Sequence, residues 1–243
     1  MATVLILGAT SDIGIAIARK FAEEKHTVQL ACRYPSSIAN LATDFRIRYQ
    51  LDCKVYAFDA MDFKSHLQFY NELSPKPDIA ICVFGYMTEN EKALNNFEET
   101  LKTINTNYTG AVSILNIIAQ DFAERKSGAI AGISSVEGER GRQSNYIYGS
   151  SKAGFTAYLS GLRNKLYKNN VHVLTVLPGF VFTKMTEHLE LPKLLTAQPP
   201  EVAAAVYEGI RKKKNVIYVK WFWRWIMYII KAIPESIFKR KNL

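Results

Sequence analysis

Short, continuously apolar runs alternate along the chain with longer stretches in which apolar positions recur at helical spacing. The runs predict strands at Thr3–Leu7, Thr27–Ala31, Lys54–Phe58, Asp78–Val83, Ala129–Ile133, Val171–Leu177 and Val216–Val219. Most show no polar alternation, as in parallel strands buried on both faces. The longer stretches predict helices over Ile13–Glu24, Ile38–Tyr49, Phe63–Leu73, Phe97–Glu124, Asn145–Lys168 and Pro200–Lys213. Strand–helix alternation over the whole length predicts an α/β fold, a single doubly wound domain with a seven-stranded parallel sheet and helices on both faces. It spans residues 1–219, and an amphipathic, aromatic and basic helical tail occupies 220–243.

The first strand runs directly into Gly8-Ala9-Thr10-Ser11-Asp12-Ile13-Gly14, and a helix follows. A strand, a glycine turn and a helix N-terminus together form an anion site, because backbone N–H groups and the helix dipole point at one place. The plainer alternative is a tight turn with Ser11 or Asp12 as N-cap. At the end of the second strand, Ala31-Cys32-Arg33-Tyr34 contains no acid to take a ribose 2′-hydroxyl. Arg33 can instead pair with a 2′-phosphate, which points to NADP(H); otherwise it is a solvated loop residue. Asp59, after the third strand, can accept from an adenine amino group or cap the next helix.

Tyr148 and Lys152 stand four apart in a helical stretch and so share a face. Of 13 tyrosines only this one has lysine at that offset. Ser135 ends the strand Ala129–Ile133, and strand C-termini are where such sheets place ligands. A tyrosine with its ordinary pKa near 10 exchanges protons poorly at pH 7, and a neighbouring ammonium is expected to lower that value. Tyr148 could then protonate a carbonyl oxygen while the Ser135 hydroxyl stabilises the developing charge.

With these residues in order, the chain resembles the short-chain dehydrogenase/reductase family from Thr3 to about Val219. The resemblance implies a Rossmann fold and a catalytic set of Asn107, Ser135, Tyr148 and Lys152. Asn107 would hold a proton-relaying water, and Lys152 would bind the nicotinamide ribose. Pro178, Gly179 and Thr183 fall on the element that holds the nicotinamide carboxamide. Cofactor contacts are likewise implied at Gly8, Thr10, Ser11, Asp12, Ile13, Gly14, Arg33, Asp59, Ala60, Gly85 and Val181, besides Tyr148 and Lys152. Two positions depart from the family pattern. Asp12 replaces a middle glycine, so its carboxylate must point away from the pyrophosphate, with Ser11 available as a phosphate contact. Cys82-Val83-Phe84-Gly85 replaces Asn-Asn-Ala-Gly. The glycine turn together with the C-terminus resembles a branch that reduces the 2-keto sugar of a polyprenyl-phosphate-linked pentose.

Composition changes the picture at one end only. The 243 residues carry 31 basic and 22 acidic side chains, a net charge of +9. Ten of the basic residues lie from Arg211 onward, opposed by Glu235 alone, so the rest of the chain is neutral. A neutral body argues against nucleic acid as a partner. The tail holds all three tryptophans, Trp221, Trp223 and Trp225, among isoleucines and basic residues, and Pro234 breaks its helix. It is too short and too charged to span a bilayer and suits an interfacial helix on anionic lipid. The alternatives are a helix over the substrate cleft or at a subunit interface.

Three scattered cysteines without a CxxC pair give no zinc or redox motif and fit a reducing compartment. No metal is expected, and the N-terminal stretch lacks the basic start of a signal peptide. The expected protein is an NADPH-dependent carbonyl reductase acting on a small-molecule or lipid-linked ketone. It is cytoplasmic, peripheral at the inner face of a membrane, and a homo-oligomer through the apolar segment Phe97–Glu124. A non-catalytic dinucleotide sensor or a membrane scaffold would not need the four catalytic residues. The substrate pocket is expected within Phe180–Thr196, including Met185, His188 and Leu189.

Overall fold

The computed structural model describes residues 1–187 and 190–241. Seven strands form one parallel sheet: β1 (Thr3–Leu7), β2 (Thr27–Cys32), β3 (Cys53–Ala57), β4 (Ile79–Cys82), β5 (Ala129–Ile133), β6 (His172–Pro178) and β7 (Val216–Val219). Their order across the sheet is β3-β2-β1-β4-β5-β6-β7. The winding therefore reverses between β1 and β4, where Leu7 pairs with Cys82. A crevice opens at such a reversal, outside the carboxyl ends of the strands.

Side-chain alternation explains why the strands are apolar throughout. Val4 and Ile6 point into one layer and Leu5 and Leu7 into the other. The first layer lies under helices α1 (Asp12–Glu23) and α2 (Ala39–Tyr49), with Ile17, Phe21 and Phe45. The second lies under α3 (His66–Glu72), and two short helices, α4 (Asn90–Asn95) and α5 (Phe97–Ile104), follow β4. Helices α6 (Ala111–Arg125) and α7 (Tyr146–Leu166) complete that side with Ile114, Phe122, Phe155 and Leu159. Helix α8 (Pro199–Arg211) closes the first side beside α1, with the Phe21 and Tyr207 rings edge-on at 5.3 Å.

Three helix expectations need correction. The stretch Phe97–Glu124 is two helices, α5 and α6, joined by a π-turn over Asn105–Gly110. Glycine is required where this turn ends: a side chain at Gly110 would lie 2.1 Å from the Ala60 carbonyl oxygen. The stretch from Ile38 starts as a 3-10 turn over Pro35–Ile38, and α3 begins only at His66. Helix α4 had no counterpart in the hydrophobic pattern, being six residues long with only Ala93 buried.

After β7 come α9 (Trp223–Ala232) and α10 (Glu235–Phe238), with Pro234 between them. One side of α9 is core: Trp223 and Met227 pack against Val136 and Leu177. The other side exposes Trp225, Tyr228 and Ile229. Trp223 is thus not available to an interface with lipid, contrary to the expectation for all three tryptophans. No helix among the described residues is long and apolar enough to cross a membrane.

Candidate active site

A cleft of about 1110 Å³ lies at the carboxyl ends of the strands. Of the residues picked from the sequence, all line it except Gly14 and Asn107, which are buried beside it.

The β1–α1 turn is built by local constraints. Gly8 has φ +98°, and a side chain there would meet the Phe84 backbone nitrogen at 2.5 Å. Its N–H donates to the Ala31 carbonyl at 3.0 Å, which ties the turn to the end of β2. Ser11 Oγ donates to the Gly8 carbonyl at 2.9 Å and accepts from Gly14 N–H at 3.0 Å. The hydroxyl is thus the N-cap of α1, and Ser11 lines the cleft. Asp12 Oδ2 accepts from Lys184 N–H at 2.8 Å. The carboxylate is thereby turned toward the segment after Thr183, as a site for an anion on this turn requires.

Arg33 is exposed beyond β2 and makes no ion pair among the described residues. Its guanidinium lies 5.9 Å from the Tyr34 ring centre. Asp59 Oδ1 accepts from Met61 N–H at 2.9 Å, so it caps its own loop while lining the cleft. These features fit a dinucleotide: a turn whose Gly8 and Gly14 have no room for a Cβ, a helix start lining the cleft, and a guanidinium at the distal end without an ion pair among the described residues.

At the other end stand Ser135, Tyr148 and Lys152. Ser135 follows β5, and its Oγ accepts from Glu137 N–H at 3.1 Å. Tyr148 and Lys152 sit in the first two turns of α7. Lys152 is buried, its Nζ donates to the Ile133 carbonyl at 3.0 Å, and it lies 5.7 Å from the Tyr148 ring centre. Burial draws its pKa down to about 8. Burial pushes the Tyr148 hydroxyl well above its ordinary pKa, the Glu137 charge adds to this, and the Ser135 hydroxyl pulls the other way. The pull on the tyrosine is thus upward, with burial its main cause, where the lysine charge alone led to an expectation of lowering. Tyr148 holds its proton.

Asn107 sits in the π-turn. Its Oδ1 accepts from Tyr86 N–H at 2.7 Å, and its Nδ2 donates to the Tyr86 carbonyl at 2.8 Å and to Ser151 Oγ at 3.0 Å. The amide ties the segment after β4 to α7. Gly85 keeps that segment open: a Cβ there would stand 3.3 Å from Asn107 Oδ1 and 3.5 Å from Lys152 Nζ.

Pro178 ends β6, Gly179 follows it, and Val181 bridges to Ala197. Thr183 N–H donates to Thr186 Oγ1 at 3.1 Å. Of the expected substrate segment, Phe180 and Met185 line the cleft, whereas His188 and Leu189 lie outside the described residues. The sequence reading missed Tyr86, Glu137 and Asn145, which also line the cleft. Glu137 was readable in principle, two residues after the serine, but a single acid carries no signal in sequence.

The tail is anchored on the segment that follows Ser135. Arg140, just beyond Ser135, donates from Nη1 to the Ile233 carbonyl at 2.7 Å and from Nη2 to Glu235 Oε2 at 3.0 Å. Its guanidinium carbon stands 3.7 Å from the Phe238 ring centre. Lys231 pairs with Glu139 at 2.5 Å.

Comparison with known proteins agrees with this geometry. Residues 2–193 match the short chain dehydrogenase family. An uncharacterized oxidoreductase of Mycobacterium tuberculosis is 31% identical over 242 residues, covering 98% of this chain and 96% of the relative. The ketoacyl reductase HetN of Nostoc is 28% identical over 233 residues, covering 89% of this chain and 78% of the relative. A short-chain dehydrogenase from Sphingobium yanoikuyae, solved in complex with NADPH, superposes with a TM-score of 0.83 at 23% identity, covering 97% of this chain and 98% of that one. With the β1–α1 turn at one end of the cleft and Ser135, Tyr148 and Lys152 at the other, this chain belongs to the short-chain dehydrogenase/reductase family of oxidoreductases.

Proposed function

We propose that the protein is an NADPH-dependent ketone reductase. The observation that carries this reading is one cleft holding Arg33 at its distal end and the Ser135–Tyr148 pair at its reactive end. The names of HetN, a ketoacyl reductase, and of the NADPH-bound Sphingobium enzyme support it. Gly8, Ile13, Ala60 and Gly85 would let the dinucleotide approach, with Arg33 on its 2′-phosphate and Thr183 at its carboxamide. The cofactor supplies the hydride that reduction of a ketone needs.

The chain's own residues do the rest. The Ser135 hydroxyl donates to the ketone oxygen and fixes its direction. Tyr148, whose proton is held on by burial and by Glu137, delivers that proton as negative charge grows on the oxygen. Lys152 backs the tyrosine from beneath, anchored on the Ile133 carbonyl. Asn107 keeps the Gly85–Tyr86 backbone at a fixed distance from α7.

The proposal extends to location and substrate. The outer side of α9 carries Trp225, Tyr228 and Ile229, and Trp221 is exposed just before it, with Arg224, Lys239, Arg240 and Lys241 also exposed. That mixture suits the surface of an anionic bilayer at its cytoplasmic face, and a lipid-linked ketone such as a polyprenyl-linked keto sugar fits a site beside it. Residues 1–219 are the catalytic domain and 220–243 the membrane-facing tail. A homo-oligomer is a further part of this reading, since Phe97 and Tyr108 remain exposed near the half-buried Ile104.

A panel of ketones with NADPH, including polyprenyl-linked keto sugars, tests the reading. Reduction of at least one class, faster with NADPH than NADH, is expected. No NADPH consumption with any ketone would contradict it.

A further inference from the structure

The segment that follows β6 meets the β1–α1 turn through one side chain. Its base is pinned: Phe182 N–H donates to the Ala197 carbonyl at 2.9 Å, and Ala197 N–H donates to the Phe180 carbonyl at 2.8 Å. Its tip is a braced turn, in which Thr186 Oγ1 donates to the Val181 carbonyl at 2.6 Å and accepts from Thr183 N–H at 3.1 Å. Val181–Thr186 is therefore one compact strap. From it Lys184 N–H donates to Asp12 Oδ2 at 2.8 Å, across 172 residues of sequence.

Helix formation does not account for this carboxylate. Ser11 already caps α1 by accepting from Gly14 N–H at 3.0 Å. An acid in the first turn suits the helix dipole whichever way it faces, so the dipole does not explain the bond to Lys184. Its negative charge also opposes a phosphate held on the same turn. What Asp12 adds is a charged acceptor for the N–H of the strap.

The bond stands at an edge of the cleft. Asp12, Thr183 and Lys184 line both the cleft and a neighbouring hollow of about 290 Å³, so the bond is a partition between the two. A dinucleotide with its 2′-phosphate at Arg33 and its nicotinamide near Tyr148 has to pass the β1–α1 turn. The strap closes that passage on one side while Lys184 is held, and opens it when the bond breaks.

We infer that Asp12 is the latch of the cofactor cleft: its carboxylate holds the strap Val181–Thr186 against the β1–α1 turn and sets how fast NADPH leaves. It is a positioning residue, acting through the strap. This inference rests on the NADPH reading of the cleft.

The test compares wild-type protein with Asp12→Asn, which keeps an acceptor oxygen without the charge, and Asp12→Ala, which removes both. The two variants share the loss of charge, so the difference between them isolates the bond. One readout is the NADPH release rate, followed by stopped-flow fluorescence. The other is tryptic cleavage after Lys184 in protein without added cofactor, which reads strap opening. Asp12→Ala is expected to release NADPH roughly 3- to 10-fold faster than Asp12→Asn, the worth of one hydrogen bond, and to be cut faster by a similar factor. Equal release from the two variants would overturn the latch, whatever the cleavage shows. If wild-type protein binds no NADPH, the cofactor reading fails, and faster cleavage of Asp12→Ala than of Asp12→Asn would still show the strap held by this bond.

Discussion

The indole of Trp223 fills the space beside the Gly179 Cα: a Cβ at Gly179 would lie 1.9 Å from the ring. The tail and the end of β6 are therefore fitted to each other. Trp223 Nε1 also donates to the Leu195 carbonyl at 3.1 Å, so the indole holds both ends of the loop that borders the cleft. Truncation after Val219 would remove this packing from the end of β6.

Trp223→Ala should cost about 3–5 kcal/mol of stability, the range for emptying a buried tryptophan site. Urea unfolding checks this. A loss below about 1 kcal/mol would show that the tail merely rests on the domain.

Arg33 is exposed and free of ion pairs among the described residues, so its charge is available at the end of the cleft. Wild-type protein should prefer NADPH to NADH, and Arg33→Ala should narrow the gap chiefly by weakening NADPH. Calorimetric titration with each cofactor reads this directly. Equal affinities in the wild type would leave Arg33 a bystander.

Lys152 links stability to pH. Its pKa falls from 10.5 to about 8 on folding because the ammonium loses water. Below about pH 8 the lysine is charged in both states and the fold bears the full penalty. Between about 8 and 10.5 the unfolded chain binds more protons, so stability from this group rises with pH, and above 10.5 the penalty is gone. Lys152→Met removes the dependence. The stability of wild type relative to this variant should improve by about 3 kcal/mol across the window, measured by urea unfolding at several pH values. A difference flat with pH would contradict the burial of the ammonium.

The outer face of α9 allows membrane binding to be separated from folding. Trp225 and Ile229 are 58% and 64% exposed. Changing both to Gln should alter stability by no more than about 0.5 kcal/mol per site. Binding to anionic vesicles should fall at least roughly tenfold, since each side chain would otherwise bury its apolar surface in lipid. Sedimentation with vesicles measures it, and unchanged binding would remove this face from the interface.

The strands were legible because a sheet buried on both sides needs uninterrupted apolar runs, and each observed strand lies within a residue or two of its run. The turn at Gly8 and the Tyr148–Lys152 pair were legible for a similar reason: their geometry depends on residues close in sequence. What escaped depends on distant partners. The break at Asn105–Gly110 lies where Gly110 packs against the backbone of Ala60, fifty residues earlier. The high tyrosine pKa comes from burial, which a spacing of four cannot reveal. Glu137 and Asn145 meet only because the turn after β5 folds onto α7. Trp223 was read with its neighbours as a lipid-facing residue because its partner, Gly179, belongs to another element.

The central claim is that Tyr148 gives its proton to a ketone oxygen during reduction. Tyr148→Phe keeps the ring and removes the hydroxyl that carries that proton. Single-turnover consumption of NADPH by a ketone that the wild type reduces is the direct measurement. The account predicts a fall of roughly 10²- to 10⁴-fold in the rate, with NADPH binding retained. A variant that reduces the ketone at close to the wild-type rate would contradict it.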